Sequence, residues 1–174
     1  INLGATEYLN QIYISGSVKN VTKIFDPVGS AASTFRREEA LKIIKEIKPN
    51  VIRGNYSEIF ALYFNKKMAP GVDREENNEI MNAVEVVSDF AVKTGSIVIA
   101  SGARDIISDG NEIFFVDNGS EHMRKITGSG CMATGVISAF CAIKCDIKSA
   151  ASAMIMMGIC GENAERMVKM EHKG

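Results

Sequence analysis

The chain has no tryptophan, only three prolines and two histidines, and no run of like charge longer than a few residues. These shortages narrow its function. Its 20 Lys and Arg residues nearly balance 21 Asp and Glu residues, for a net charge of −1, so nothing global favours nucleic acid or an anionic membrane. The longest apolar stretch, residues 150–160, is too short to span a bilayer, and no signal peptide is visible. His122 and His172 lie far apart, and Cys131, Cys141, Cys145 and Cys160 form no C-x-x-C, so no zinc pattern exists. All four cysteines fall in helical, mostly apolar sequence, which suits the reduced thiols of a cytoplasmic protein better than a disulfide framework. No G-x-x-x-x-G-K-S/T occurs, which argues against a P-loop NTPase. The N-x-S/T matches at Asn20, Asn55 and Asn118 are short enough to arise by chance.

The 174 residues are 46% hydrophobic and 24% charged, enough for one domain, or part of one, with a sizeable core. The sequence starts on Ile1 and finishes on Lys173-Gly174, so both ends read as cut. Residues 4–17 admit a helix. Residues 23–25 read as a short buried strand that must turn at Asp26-Pro27. A small-residue loop over 29–33 leads into an amphipathic helix over 36–47, with Ala40, Leu41, Ile44 and Ile47 on one face. Pro49 ends it. The pattern then predicts a strand at 51–52, a helix over 55–64, a loop over 71–74 and a long helix over 75–93. Residues 97–100 are a buried strand closed by Ser101-Gly102, and 105–107 and 113–116 flank the hairpin signal Asp109-Gly110. Helices over 129–143 and 147–170 complete the chain. Short apolar strands alternating with helices predict an α/β fold, a mostly parallel sheet with helices on both faces and the hairpin as an antiparallel edge. In such sheets ligands bind at the carboxyl ends of the strands. That rule gathers Asp26, Arg53, Ser101 and the turn from Gly128 to Cys131 on one rim.

The turn Thr127-Gly128-Ser129-Gly130-Cys131 is the strongest chemical signal. The first N–H groups of a helix lack partners within it and favour an anion, and glycine lets backbone approach a ligand closely. The helix dipole stabilises a thiolate at Cys131, a candidate base. The same residues also read as a tight turn carrying a small buried cysteine at the start of a buried helix. Asn55-x-x-Glu58 reads as a capping box and, compatibly, as a carboxylate beside a metal–phosphate site. Arg53 reads as a surface charge or as a clamp on phosphate oxygens. Asp26 is a turn residue or a magnesium-associated carboxylate acting through water. Ser101 closes a turn or touches a phosphate. Cys141 and Cys145, at i and i+4, and Met154, Met156 and Met157 read as core.

Three segments occur in order: Asp26-Pro27-Val28-Gly29, Val51-Ile52-Arg53-Gly54-Asn55-x-Ser57-Glu58, and Thr127-Gly128-Ser129-Gly130-Cys131-Met132. Together they resemble hydroxyethylthiazole kinase, of the ribokinase-like superfamily, from about Asp26 to Glu165. The turn and the Asp-Pro-Val segment also occur in hydroxymethylpyrimidine kinases, whereas the Arg-Gly-Asn-x-Ser-Glu run and the loop leading to Phe35-Arg36 favour the thiazole enzyme. The resemblance implies a ribokinase-like three-layer sandwich and ATP- and Mg2+-dependent phosphorylation of 4-methyl-5-(2-hydroxyethyl)thiazole in thiamin biosynthesis and salvage. It implies Cys131 as the base, Gly128, Ser129 and Gly130 as the anion hole, and Arg53 and Ser101 as ATP-phosphate contacts. It further implies Asp26 and Glu58 in the magnesium region, Gly128 against the thiazole, and a homotrimer without nucleic-acid or membrane partners. The family's N-terminal part, which supplies much of the thiazole pocket, and its C-terminal helix have no counterpart here. The chain is therefore expected to be most of a single kinase domain, its nucleotide-binding majority. A hydroxymethylpyrimidine or other small-alcohol kinase, and a catalytically silent nucleotide-binding protein, are the competing expectations.

Overall fold

In the computed structural model, which describes residues 6–67 and 77–171, Ile24–Phe25 (β1), Val51–Asn55 (β2) and Ile97–Ser101 (β3) pair in parallel. Asp105–Ser108 (β4) and Ile113–Val116 (β5) add antiparallel at the β3 edge, giving the order β1-β2-β3-β4-β5. Since β4 opposes both its neighbours, four of the five strands point the same way. Side chains alternate across a strand, yet β3 is apolar up to Ser101 and residues of both faces of β4, Ile106 and Ile107, are buried, because both faces of the sheet are covered. Ile52, Val98, Ala100 and Ile106 share one core with the helices Thr6–Gly16 (α1), Thr34–Ile47 (α2), Tyr56–Phe64 (α3) and Asn77–Thr94 (α4). Val51, Ile97, Ile99 and Ile107 face the helices Ser129–Ile143 (α5) and Ile147–Glu171 (α6). This is the expected three-layer α/β sandwich.

The helix ends follow local chemistry. Ser33 caps α2, its Oγ accepting the Arg36 N–H at 3.3 Å, and α2 stops at Lys48, in the left-handed region just before Pro49. In the hairpin, Asp109 Oδ1 accepts the N–H groups of Asn111 and Glu112 at 2.9 and 2.8 Å.

Several expectations need correction. The strand expected at 51–52 extends through Asn55, because its ladder with β3 continues to the Asn55–Ser101 pair. Arg53 thus sits inside a strand rather than after one. The helix expected over 129–143 is not buried on all sides: Ala133, Ile137 and Cys141 are buried, whereas Met132 is 50% and Ile143 91% exposed, since α5 packs only toward the sheet and α6. Met154 is core and Met157 packs against it, but Met156 is half exposed on the outer side of α6. A short 3-10 helix, Glu121–Lys125, went unread because it carries no apolar periodicity. The loop over 71–74 and the start of the helix at 75–76 lie outside the described residues.

Candidate active site

Strand direction gathers the site. The carboxyl ends of β1, β2 and β3, the first residue of antiparallel β4 and the residue after β5 all reach one rim. An open cleft of about 800 Å³ lies there, lined by Asp26, Arg53, Glu58, Ser101, Asp105 and the turn from Gly128 to Cys131, among others. Every site residue expected from the sequence lines it.

Arg53 is the hub. Alternation puts it on the same face as Val51, the face covered by α5, so its side chain runs toward the start of that helix. Its Nη2 donates to Ser101 Oγ at 2.7 Å, and Ser101 donates on to the Gly54 carbonyl at 3.3 Å. Its Nη1 lies 3.7 Å from Asp26 Oδ2, both side chains being 12% exposed. Nε of Arg53 is buried and has no partner among the described residues. A Cβ on Gly130 would stand 2.7 Å from Arg53 Nη1, so glycine lets the guanidinium lie against the turn and a larger residue would push it aside. Gly128, the N-cap of α5, has φ 89°, in the left-handed region that glycine occupies without strain. The Ser129 N–H is engaged by the Ile126 carbonyl at 3.2 Å, while Gly130 and Cys131 open the first turn of the helix. Cys131 is exposed to the cleft, not buried in a tight turn. Cys141, by contrast, is buried and its thiol is pushed up to about 12 by desolvation, which makes it an inert core residue.

Glu58 lines the cleft at the start of α3. It completes the capping box, with Asn55 Oδ1 accepting the Glu58 N–H at 2.8 Å and Glu58 Oε2 accepting the Asn55 N–H at 3.0 Å. Its Oε1 accepts the Gly29 N–H at 2.8 Å, which ties α3 to the loop after β1. Burial raises its pKa, opposed by those two N–H groups and reinforced by the Asp26 charge.

The donor set fits a hydrated cation. Asp26 Oδ1 is a buried carboxylate oxygen that accepts no hydrogen bond among the described residues. An enclosed vacant acceptor of this kind is satisfied by a cation or by its water. Among the described residues no cluster of three or more His, Cys, Asp or Glu side chains can hold a metal ion alone. One enclosed carboxylate oxygen suits a cation that keeps most of its own water, as Mg2+ does.

Two residues were missed in the sequence. Thr134 Oγ1 donates to Asp26 Oδ2 at 2.7 Å, across 108 positions of chain. Asp105 looked like an ordinary strand residue, but the first residue of an antiparallel strand shares the rim with the last residues of its parallel neighbours. Its Oδ1 accepts the Gly102 N–H at 3.0 Å, and Tyr56 OH donates to the Arg104 carbonyl at 2.5 Å, so the loop after Ser101 is pinned at both ends. Burial pushes the Asp105 carboxyl up to about 6. The Gly102 N–H and the Arg53 charge pull it down, and Asp117 pushes it up.

The folded chain thus holds this proton more tightly than the unfolded chain, where the group titrates near 3.8. The resulting stability is present below the unfolded value and is lost as pH rises through about 6. Asp105→Asn keeps an acceptor for Gly102 and buries no charge. It is expected to be about 1–3 kcal/mol more stable than the parent near pH 7.5 and no more stable near pH 4, read by urea denaturation. An equal offset at both pH values would show that Asp105 burial does not set it.

Comparison with known proteins adds lineage to this geometry. The family model described as the hydroxyethylthiazole kinase family matches residues 3–173. "Hydroxyethylthiazole kinase 2" of Clostridium botulinum (strain Kyoto, type A2) is 36% identical over 96% of this chain and 67% of its own length. "Hydroxyethylthiazole kinase" of Ruminiclostridium cellulolyticum is 38% identical over 100% of this chain and 66% of its own. The solved hydroxyethylthiazole kinase protein from Pyrococcus horikoshii OT3 superposes with a TM-score of 0.84 at 28% identity, covering 95% of this chain and 61% of that one. An ADP complex of Bacillus subtilis pyridoxal kinase, at TM-score 0.60 and 18% identity, shares the fold. The chain spans about two thirds of the length of the curated relatives it matches and less of the solved one.

Proposed function

Because the chain belongs to the hydroxyethylthiazole kinase family, we propose that the protein carrying it transfers the γ-phosphoryl group of ATP to the hydroxyl of 4-methyl-5-(2-hydroxyethyl)thiazole, a step of thiamin biosynthesis and salvage. The observation that carries this reading is the Gly130–Arg53 approach, which brings a guanidinium, two carboxylates and a helix N-terminus to one rim. Phosphoryl transfer needs positioning and charge stabilisation more than covalent chemistry. Arg53 and Ser101 grip the ATP phosphates. The alcohol oxygen attacks the γ-phosphorus, its proton passes to Cys131 Sγ, and the bond to the ADP oxygen breaks. The N–H groups from Gly128 to Cys131 hold the transferred group's oxygens, those of Gly130 and Cys131 foremost, while Gly128 also borders the thiazole. Mg2+, when bound, would neutralise phosphate charge, and Asp26 and Glu58 would hold it through water.

We also propose that the chain forms most of one kinase domain, and that the protein is a cytoplasmic homotrimer without nucleic-acid or membrane partners. The four cysteines are free, in keeping with a reducing compartment. No helix among the described residues is long and apolar enough to cross a membrane.

The test offers the protein carrying this chain ATP, Mg2+ and either hydroxyethylthiazole or hydroxymethylpyrimidine. Products are read by mass spectrometry, and light scattering of the same sample gives its mass. Thiazole phosphate from a trimer is expected. Pyrimidine phosphate alone moves the substrate to the sister kinase. ATP binding without product from either alcohol replaces the enzyme with a silent binding protein, and a monomer removes the trimer.

A further inference from the structure

Thr134 lies nearly one turn beyond Cys131 in α5, and the roles proposed above leave its side chain unused. We propose that Thr134 is a positioning residue: its hydroxyl fixes Asp26 beside Arg53 and locks both to the first turn of α5. The inference rests on the proposed function, in which Asp26 serves the metal–nucleotide complex. A threonine hydroxyl has one hydrogen and two candidate acceptors here, Asp26 Oδ2 at 2.7 Å and the Gly130 carbonyl at 3.1 Å. The carboxylate is both nearer and charged, so it takes the hydrogen. A threonine that only bonds back to the preceding turn of its helix would do nothing for a strand end on the facing sheet.

The contact completes a continuous polar chain across the rim. It runs from Thr134 to Asp26, on to Arg53 at 3.7 Å, to Ser101 at 2.7 Å and to the Gly54 carbonyl at 3.3 Å. Asp26 Oδ2 is held by Thr134 on one side and Arg53 on the other, which leaves Oδ1 as the vacant oxygen. The carboxylate torsion is broad and soft, so without the hydroxyl the carboxylate plane turns about its bond, held by Arg53 alone, and the vacant oxygen no longer points in one fixed direction. Thr134 therefore fixes the direction in which the vacant oxygen is presented to the cation and its water.

The test measures binding without turnover. Manganese–ATP is titrated, with no acceptor alcohol, into the protein carrying this chain and its Thr134→Val and Thr134→Ser variants, and ligand-free thermal unfolding is recorded alongside. Thr134→Val, which removes the hydroxyl at nearly constant shape, is expected to weaken manganese–ATP about tenfold, the scale of one hydrogen bond to a charged group. Thr134→Ser is expected to bind like the parent. Thr134→Ala, a better helix former, carries the same test should the valine variant not fold. Equal affinity in the parent and in the hydroxyl-free variant overturns the inference, as does an equal loss in serine and valine variants. A parent protein that binds no manganese–ATP overturns the proposed function as well, so the two failures are distinguishable.

Discussion

Cys131→Ala is expected to lower kcat about a hundredfold while leaving ATP affinity within about twofold, because a group that accepts a proton in the transition state contributes at least that much. Cys131 is the third residue of α5, exposed in the cleft, and close in sequence to the Gly130 backbone that Arg53 approaches. Its backbone N–H remains in the alanine variant, so the proposed anion hole would persist and only the side chain is lost. ATP binding, in the roles proposed above, rests on Arg53 and Ser101 rather than on this thiol and has no reason to change. Cys131→Asp supplies a carboxylate that can take the same proton and is expected to recover much of the rate. Steady-state kinetics with both substrates varied, beside direct nucleotide titration, checks the pair. A folded aspartate variant as slow as the alanine one would remove the base role, and a rise in ATP KM with unchanged kcat would make Cys131 a binding residue.

How much of this was legible depends on range along the chain. The capping box at Asn55 and Glu58 spans three residues, and its chemistry was plain in the sequence. The Gly128–Cys131 turn was legible because glycines before a helix have few other uses. The rim could be inferred from strand direction alone. Thr134 could not: its meaning comes from Asp26, on a strand end 108 positions away, and the residue type is common on helices. Asp105 was hidden by the antiparallel turn of the hairpin, which inverts the end of the strand that faces the ligand. The exposure of Met156 and Ile143 has a similar cause, since apolar pattern reports which residues favour burial and not whether a neighbour covers them. Arg53 shows the intermediate case. Its position near the rim was inferred, but its direction follows from strand alternation, which needed β2 to extend past Ile52.

Arg53→Ala is expected to cut kcat/KM for ATP about a hundredfold and to cost about 2 kcal/mol of stability, because one side chain serves two needs. It balances the largely buried Asp26 charge, 3.7 Å away, and it presents Nη1 beside the Gly130 turn, where the proposed function puts a phosphate oxygen. The two losses are separable with Arg53→Lys. An ammonium restores a positive charge near Asp26, so most of the stability should return. It lacks the planar fork that meets Ser101 and the phosphate together, so kcat/KM for ATP should stay about tenfold down. Denaturant melts and ATP-saturation kinetics on the three proteins decide between these roles. If lysine restores both properties, charge alone suffices and the fork geometry is incidental. If it restores neither, the contact to Ser101 matters more than the charge, and Arg53 is chiefly a structural strut. The expected split, stability recovered and ATP use still impaired, follows only from a guanidinium that holds the site together and binds the nucleotide at once.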